Sequence, residues 1–194
     1  MRIGVLAAQG AFIEHISVLQ RLGVEAIPVR LPEELVGLDG LIIPGGESTS
    51  ISKLMLAYNL IDKIKNLVEK GLPVFGTCAG LVLLADELID GNKVTPLRLM
   101  DIKVRRNAFG RQRESFETGL SIPVLGEKPF PGIFIRAPII EQSNGKVEVL
   151  ARLTDGTIVA ARQGKRLVSA FHPELTDDLR FHQYFLELVA GNSK

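Results

Sequence analysis

The sequence predicts an α/β fold with three layers: a mostly parallel central sheet, helices on both faces and an antiparallel strand extension. In the first half of the chain, short apolar runs alternate with segments of helical periodicity, which indicates strand–helix–strand units. These runs lack polar alternation, as is typical of parallel strands buried on both faces. Near the C-terminus, closely spaced short strands are joined by turn sequences that favour hairpins. With 194 residues and 46% apolar content, the chain can bury a sizeable core, and we expect a single domain over residues 1–194.

The first half contains four predicted strands, covering residues 3–7, 25–29, 41–44 and 72–75. Pro28 indicates that the second of them ends there or lies at an edge of the sheet. Further helical segments cover residues 54–68, with an interruption near Asn59. The first helix is predicted from apolar residues at helical spacing, which are Phe12, Ile13, Ile16, Leu19 and Leu22. Gly23 follows them, and glycine is favourable just beyond the end of a helix.

Cys78, the only cysteine, lies where the apolar pattern changes from strand to helix. Residues 72–75 resemble a short buried strand, whereas residues 81–85 continue as an apolar helix. A free cysteine is often simply a small buried apolar residue, but a single cysteine with histidine available elsewhere is also the pattern of a nucleophile. Small residues on both sides permit the strained reversal that lifts a nucleophile clear of a sheet; they are Gly76, Ala79 and Gly80.

The turn at residues 44–50 follows the third strand, so it lies at the carboxyl edge where open α/β sheets bind ligands. Gly45 and Gly46 allow backbone N–H groups to point into a cleft, which suits an oxyanion hole. The Lys-Ser/Thr ending of a phosphate-binding loop is missing here, which makes phosphate binding the weaker hypothesis. Residues 48–50 supply N-cap candidates for the next helix.

Residues 104–116 combine arginines with two phenylalanines, after residues 90–92 end the helix that follows Cys78. Such a mixture can bind single-stranded nucleic acid. Glu114 and Glu117 offset the charge, so we favour a loop over the cleft. The arginines of this stretch are Arg105, Arg106, Arg111 and Arg113.

The second half continues with an apolar strand at residues 132–138, which ends near Arg136. An arginine at that position can pair with the carboxylate of an amino acid. An amphipathic helix over residues 177–189 closes the chain. Between them, hairpin signals join three short strands at residues 147–152, 157–162 and 167–171.

Three histidines are available as a base for Cys78. His172 directly follows the last predicted strand, and Glu174 lies two residues later, beyond Pro173. A nucleophile needs a base, and the base needs a third group to hold it, so His172 and Glu174 are the candidates. For His15 and His182, on the first and last helices, we expect exposed or half-buried positions without a catalytic role.

The composition argues against several classes of protein. Lys plus Arg number 23 and Asp plus Glu 22, so the net charge of +1 gives no electrostatic reason to expect nucleic acid or an anionic membrane as partner. One cysteine excludes an internal disulfide and fits a reducing compartment. No apolar run approaches membrane-spanning length, and the first residues lack the pattern of a signal peptide. We therefore expect a cytoplasmic location.

Three segments resemble the signatures of class I, triad-type glutamine amidotransferases: Gly76-Thr77-Cys78-Ala79-Gly80, Pro44-Gly45-Gly46-Glu47-Ser48-Thr49 and Phe171-His172-Pro173-Glu174. Other segments narrow the resemblance to the glutaminase-subunit family of pyridoxal 5′-phosphate synthases. The match runs nearly end to end, and these further segments are Ala8-Gln9-Gly10-Ala11, Glu14-His15, residues 106–112, Phe116-Glu117 and residues 134–138.

This resemblance implies that Cys78 attacks the side-chain amide of L-glutamine. His172 would protonate the departing ammonia and then activate water, while Glu174 orients the imidazole. Backbone N–H groups of Gly46 and Ala79 would form the oxyanion hole. The positions that match the family's glutamine-binding residues are Gly46, Glu47, Ser48, Arg106, Ile135 and Arg136.

The resemblance also implies a partner but no metal and no bound organic cofactor. Ammonia would pass to a synthase subunit that forms a (β/α) barrel, in a hetero-oligomer, and pyridoxal phosphate would be the product of that partner. The turn at residues 9–11, with Glu14 and His15 on the following helix, is expected to form part of the contact.

Two other classes of function stay open from the sequence. One is a different cysteine hydrolase on the same fold, such as a small peptidase or a γ-glutamyl hydrolase. The other is a non-catalytic binding subunit, against which the intact set of Cys78, His172 and Glu174 argues. Release of ammonia and glutamate from glutamine distinguishes a glutaminase from both alternatives.

Overall fold

The computed structural model describes residues 1–90, 93–109 and 114–192. The strands in these ranges are β1 (Arg2–Leu6), β2 (Glu25–Val29), β3 (Gly40–Ile43), β4 (Val74–Thr77), β5 (Ala85–Leu88), β6 (Met100–Arg105), β7 (Ser115–Leu120), β8 (Phe130–Ile135), β9 (Ile139–Ser143), β10 (Glu148–Arg152), β11 (Ile158–Gln163) and β12 (Arg166–Ser169). The α-helices are α1 (Phe12–Arg21), α2 (Ser48–Ala57), α3 (Leu60–Glu69), α4 (Ala79–Leu84) and α5 (Arg180–Ala190). A short 3-10 helix, Pro173–Leu175, connects β12 to the segment before α5.

The central sheet has the strand order β2-β1-β3-β4-β12-β11-β9-β6-β5, with β10 paired to β11. The five strands from β2 to β12 are mutually parallel, whereas β11 runs antiparallel to its neighbours β12, β10 and β9. A separate antiparallel pair joins β7 to β8. The predicted mostly parallel sheet with an antiparallel extension is therefore confirmed, as are the hairpins near the C-terminus.

Helices cover both faces of the parallel strands, as the two neighbouring residues Phe75 and Gly76 in β4 demonstrate. The Phe75 ring packs against Phe181 and Phe185 of α5, with ring centroids 5.5 and 5.6 Å apart. Successive strand residues point to opposite faces, and Gly76 accordingly lies against Gly80 of α4. With both faces covered, every residue of β3 and β4 is buried.

The carboxyl ends of the parallel strands meet at one edge of the sheet. Because β4 and β12 pair directly, with Ser169 opposite Thr77, the residues that follow these two strands are brought together. The turns after β1 and β3 reach the same edge, where the backbone N–H of Ala11 donates to the carbonyl of Gly45 over 3.0 Å. This edge therefore gathers four chain segments that are distant in sequence.

Several local predictions are confirmed and others are wrong. Strand β2, which contains Pro28, is indeed at the edge of the sheet. The helix after Cys78 does not continue beyond Leu84, because Ala85 takes an extended conformation and β5 pairs with β6. Of the residues expected to end that helix, 91 and 92 lie outside the described residues. The N-cap of α2 is Glu47 rather than a residue of 48–50, since its carboxylate accepts hydrogen bonds from the backbone N–H groups of Thr49 and Ser50.

The stretch at residues 104–116 is not a loop throughout. Val104 and Arg105 belong to β6, and Ser115 and Phe116 belong to β7. Residues 110–113, which include Arg111 and Arg113, lie outside the described residues. Ile13 is also not part of the buried face of α1, because 64% of its surface is exposed.

In the described ranges, no helix combines the length and apolar character needed to cross a bilayer.

The contact between α4 and the sheet gives a first prediction. A Cβ at residue 80 would overlap the carbonyl oxygen of Ile43, so Gly80→Ala should lower the free energy of unfolding by about 1–3 kcal/mol, a typical cost of overpacking. Urea unfolding followed by circular dichroism measures this. Gly119→Ala is the matched control, because a Cβ there meets only Pro129 at an ordinary distance of 3.4 Å. Equal midpoints for the two variants would contradict the prediction.

Candidate active site

Cys78 lies alone between β4 and α4, in a conformation that few residues adopt. Its φ of 49° and ψ of −99° fall outside the regions favoured by residues with a side chain. Strain of this kind concentrates at functional sites, where the surrounding structure maintains it. The Sγ atom lies 3.9 Å from the carbonyl oxygen of Ile135, and 7% of the residue remains exposed. The thiol is thus held at the bottom of a cleft that a small molecule can reach.

His172 and Glu174 meet beside Cys78 in the arrangement of base and orienting carboxylate. The Nδ1 atom of His172 lies 2.7 Å from Oε1 of Glu174. The backbone N–H of His172 donates to the carbonyl of Ile133 in β8 over 2.8 Å, which fixes the segment. Because Nδ1 faces the carboxylate, Nε2 is the nitrogen available for proton transfer.

The Gly45-Gly46 turn is enclosed on two sides. A Cβ on Gly45 would overlap the His172 ring and approach Cys78, and a Cβ on Gly46 would meet Oε1 of Gln9. That Oε1 atom also accepts a hydrogen bond of 2.8 Å from the backbone N–H of Glu47. At Gly45 only glycine therefore allows the backbone to pass this close to the His172 ring and the nucleophile.

These elements line one cleft of about 330 Å³, a size suited to a single small ligand. Glu174 does not line this cleft, because it is buried behind His172. The predicted site residues that the cleft brings together are Gly46, Glu47, Ser48, Cys78, Ala79, Arg106, Ile135, Arg136 and His172.

Two arginines give the cleft its positive charge. Arg106 reaches toward α2, with Nη1 3.5 Å from Oγ1 of Thr49, and Arg136 follows β8 in a left-handed conformation with φ of 43°. Neighbouring Arg105 is directed elsewhere and pairs with Glu141. Arg106 and Arg136 are thus placed to bind the carboxylate of a ligand. Among the described residues, no group of three or more His, Cys, Asp or Glu side chains is arranged to hold a metal ion.

The sequence model of the SNO glutamine amidotransferase family matches residues 5–191 of the chain. The chain belongs to this family. A pyridoxal 5′-phosphate synthase subunit PdxT from Herpetosiphon aurantiacus is 58% identical over 190 residues, which cover 97% of this chain and 100% of that protein. The protein of the same name from Moorella thermoacetica is 58% identical over 189 residues, covering 97% of this chain and 100% of its own length.

Solved structures share the fold. A crystal structure of a glutamine amidotransferase superposes with a TM-score of 0.92 at 51% sequence identity, covering 98% of this chain and 100% of the other. The structure of PurLQS from Thermotoga maritima gives a TM-score of 0.67 at 17% identity, covering 96% of this chain and 97% of the other. The second similarity concerns the fold alone.

The exposed or half-buried positions expected for His15 and His182 are wrong, because both residues are 0% exposed in this amidotransferase. Their rings lie in contact, with Nδ1 of His15 2.9 Å from Nε2 of His182. His15 therefore cannot contribute its side chain to a partner contact, although Glu14 beside it is exposed. The local pattern could not reveal this, since a histidine on an amphipathic helix is compatible with either face.

The protonation states of His172 and Glu174 follow from their burial and contacts. Burial alone would lower the pKa of His172, but hydrogen bonds to Cys78 and Glu174 raise that pKa to about 10. Burial would raise the pKa of the Glu174 carboxyl, but the imidazoles of His15 and His172 lower it. The amidotransferase site thus holds an imidazolium beside a carboxylate at neutral pH.

Replacing Glu174 by glutamine tests this electrostatic account. Glu174→Gln removes the negative charge and should lower the pKa of His172 well below about 10, as measured by NMR titration of the imidazole. The pKa of His172 is higher in the folded protein than in the unfolded chain, where it is about 6.5. Protonated His172 therefore stabilises the fold fully below the unfolded pKa, and this stabilisation disappears as the pH rises through the folded pKa. The variant should lose the part of this pH-dependent stabilisation that comes from Glu174. Glu141→Gln is the control, and an unchanged His172 titration in Glu174→Gln would refute the assignment.

Proposed function

We propose that this chain is a glutaminase, which hydrolyses L-glutamine to L-glutamate and ammonia through Cys78, His172 and Glu174. The observation that carries the proposal is the strained Cys78 beside a hydrogen-bonded histidine and carboxylate, at the bottom of a cleft with two arginines. Membership of a glutamine amidotransferase family supports glutamine as the substrate. Residues 1–194 would form one glutaminase domain.

The reaction proceeds in two halves on these residues. The proton of the Cys78 thiol passes to His172, and the sulfur forms a bond to the side-chain carbonyl carbon of glutamine. The carbon–nitrogen bond then breaks as His172 gives this proton to the departing ammonia. Neutral His172 next removes a proton from water, which attacks the γ-glutamyl thioester and releases glutamate and the thiol. Glu174 holds the imidazole and stabilises its charged form. The raised pKa of His172, about 10, suits the proton-donating step at neutral pH.

The other predicted residues bind the substrate and stabilise the intermediate. Backbone N–H groups of Gly46 and Ala79 would receive the tetrahedral oxyanion, where each donor is worth roughly 3–4 kcal/mol in comparable sites. Arg106 and Arg136 would pair with the α-carboxylate of glutamine. The Glu47 carboxylate is occupied in capping α2, so Glu47 would contribute through its backbone, together with Ser48 and Ile135. The reaction needs no metal and no organic cofactor, because nucleophile, acid–base group and oxyanion donors all come from the chain.

Ammonia made in this cleft would pass to a second polypeptide. Relatives that match 97% of the chain are named as subunits of pyridoxal 5′-phosphate synthase, and we propose the same assembly here, with a (β/α)-barrel synthase subunit in a hetero-oligomer. Pyridoxal phosphate would be the product of that partner. A working thiol requires a reducing compartment, which agrees with a cytoplasmic location.

Partner contact would control the oxyanion hole. Glycine at both positions lets the Gly45–Gly46 peptide rotate with little steric cost. The hydrogen bond from Ala11 N–H to the Gly45 carbonyl opposes that rotation. The exposed turn at Gln9 and Gly10 is therefore the proposed contact, since a partner that moves this turn would change the orientation of the peptide.

Removing the nucleophile tests the chemistry. Cys78→Ala and Cys78→Ser should lower glutamine turnover by about 10³-fold or more, because members of a triad act as a unit, while the unfolding midpoint stays close to that of the wild type. Ammonia and glutamate release measure turnover. A glutamine-like electrophile should label Cys78 in the wild type, as mass spectrometry would detect. Turnover at the wild-type rate in either variant would exclude this mechanism, and cleavage of peptides without ammonia release would favour a peptidase.

Adding the synthase subunit tests the control by the partner. The chain alone should release ammonia slowly at saturating glutamine, and the rate should rise strongly with the synthase subunit present, because the oxyanion donor is then oriented correctly. The Cys78→Ala chain with the synthase subunit is the control for ammonia from other sources. Equal wild-type rates with and without partner would mean that the hole is preformed.

A further inference from the structure

The Glu174 carboxylate is buried, and its two oxygens have different surroundings. Oε1 receives the hydrogen bond from His172. Oε2 is fully buried and has no hydrogen-bond partner of good geometry among the described residues. Nε2 of His15 in α1 lies 3.4 Å from Oε2 and can donate toward it. An ionised carboxylate in such an environment needs donors to both oxygens.

His15 belongs to a short chain of buried polar groups. Its Nε2 atom also lies 3.2 Å from Oγ1 of Thr77, the residue before the nucleophile. Its Nδ1 atom lies 2.9 Å from Nε2 of His182 in α5. Burial lowers the pKa of both His15 and His182, so both imidazoles are neutral and each carries one N–H.

The carboxylate determines which nitrogen carries that proton. If His15 were protonated at Nδ1, the lone pair of Nε2 would face the negative Oε2 of Glu174, and His15 would donate no hydrogen bond to the carboxylate. With the proton on Nε2, His15 donates toward Oε2 and Thr77 Oγ1. Its Nδ1 then accepts from Nε2–H of His182. Only this assignment gives each short contact one donor and one acceptor and also keeps the lone pair of a His15 nitrogen from facing the Glu174 carboxylate.

We infer that His15 is a positioning residue of the glutaminase reaction: its Nε2–H holds the second oxygen of Glu174, and His182 fixes the tautomer of His15. The inference rests on the proposed function in assigning Glu174 to the triad. His15 touches neither substrate nor nucleophile and acts through Glu174 on the orientation and charge of His172. The titratable groups that surround it are Glu174, His172, His182 and Glu14.

The first test reads the tautomers directly and does not depend on activity. The chain has three histidines, so ¹⁵N-histidine labelling gives a spectrum that single substitutions can assign. We expect His15 and His182 to remain neutral with the proton on Nε2 at neutral pH. A proton on Nδ1 of His15, or a charged His15, would overturn the inference.

The second test separates hydrogen bonding from packing in the full chain with its synthase subunit. His15→Leu should lower kcat about ten-fold, the rate equivalent of one hydrogen bond to a charged group, with little change in KM for glutamine. His15→Gln, whose side-chain N–H₂ can replace Nε2–H, should stay within about three-fold of wild type. Val18→Ala, a buried apolar change on the same helix, controls for loss of stability and should leave kcat unchanged.

The pH profile gives a readout that packing alone would not change. Without the donor, the Glu174 carboxylate is protonated more easily, so the acid limb of kcat/KM should shift to higher pH in His15→Leu but not in His15→Gln or Val18→Ala. Equal losses in the leucine and glutamine variants, or no loss in His15→Leu, would refute the positioning role. Absence of glutamine hydrolysis by the wild type would instead refute the proposed function.

Discussion

The active site depends on the close approach of α4 to β3 and β4. Gly80 packs against the backbone of Ile43, and Gly76 packs against Gly80, with no space for a Cβ at either position. Because the helix begins so near the strand, the chain must reverse within one residue, and Cys78 takes a strained conformation with positive φ at this reversal. Strain of about 1–3 kcal/mol at such a residue persists only when the surrounding contacts hold the backbone in the strained conformation. The buried apolar side chains of α4, which anchor it to the core, supply that constraint.

Parallel pairing converts this local geometry into a catalytic arrangement. Strands β4 and β12 are neighbours in the sheet but distant in sequence, and their register places Thr77 opposite Ser169. The carboxyl ends of both strands therefore bring Cys78 close to His172. The turns after β1 and β3 reach the same edge and place the Gly45–Gly46 peptide against the His172 ring. Since all four segments follow parallel strands, the sheet determines the geometry of the site more than any single loop does.

Features encoded locally could be predicted from the sequence, and those created by tertiary contacts could not. The strand-to-helix reversal at Cys78, the Gly45-Gly46 turn and the His172–Glu174 pair are each visible within a few residues. The apolar runs of the strands predict the parallel half of the sheet. Strand β5 was missed because Ala85 and Leu88, three residues apart around two charged residues, fit a helical spacing, and only pairing with β6 makes them extended. Burial of His15 and His182 depends on α1 and α5 packing on the same face of β4, and no local pattern reports such packing. The N-cap at Glu47 was missed because serine and threonine are the commoner caps, whereas here the carboxylate reaches two N–H groups.

A neutral imidazole suits the position behind Glu174 better than a cation would. The proposed triad needs a carboxylate that stays charged while buried, so that it can hold His172 as an imidazolium. A lysine or arginine at residue 15 would form its own ion pair with Glu174 and weaken the attraction of that charge for His172. A neutral N–H donor solvates the second oxygen but leaves the net negative charge on Glu174. Burial, which lowers the pKa of His15, keeps that donor neutral, so the surroundings that isolate the carboxylate also preserve its charge for catalysis.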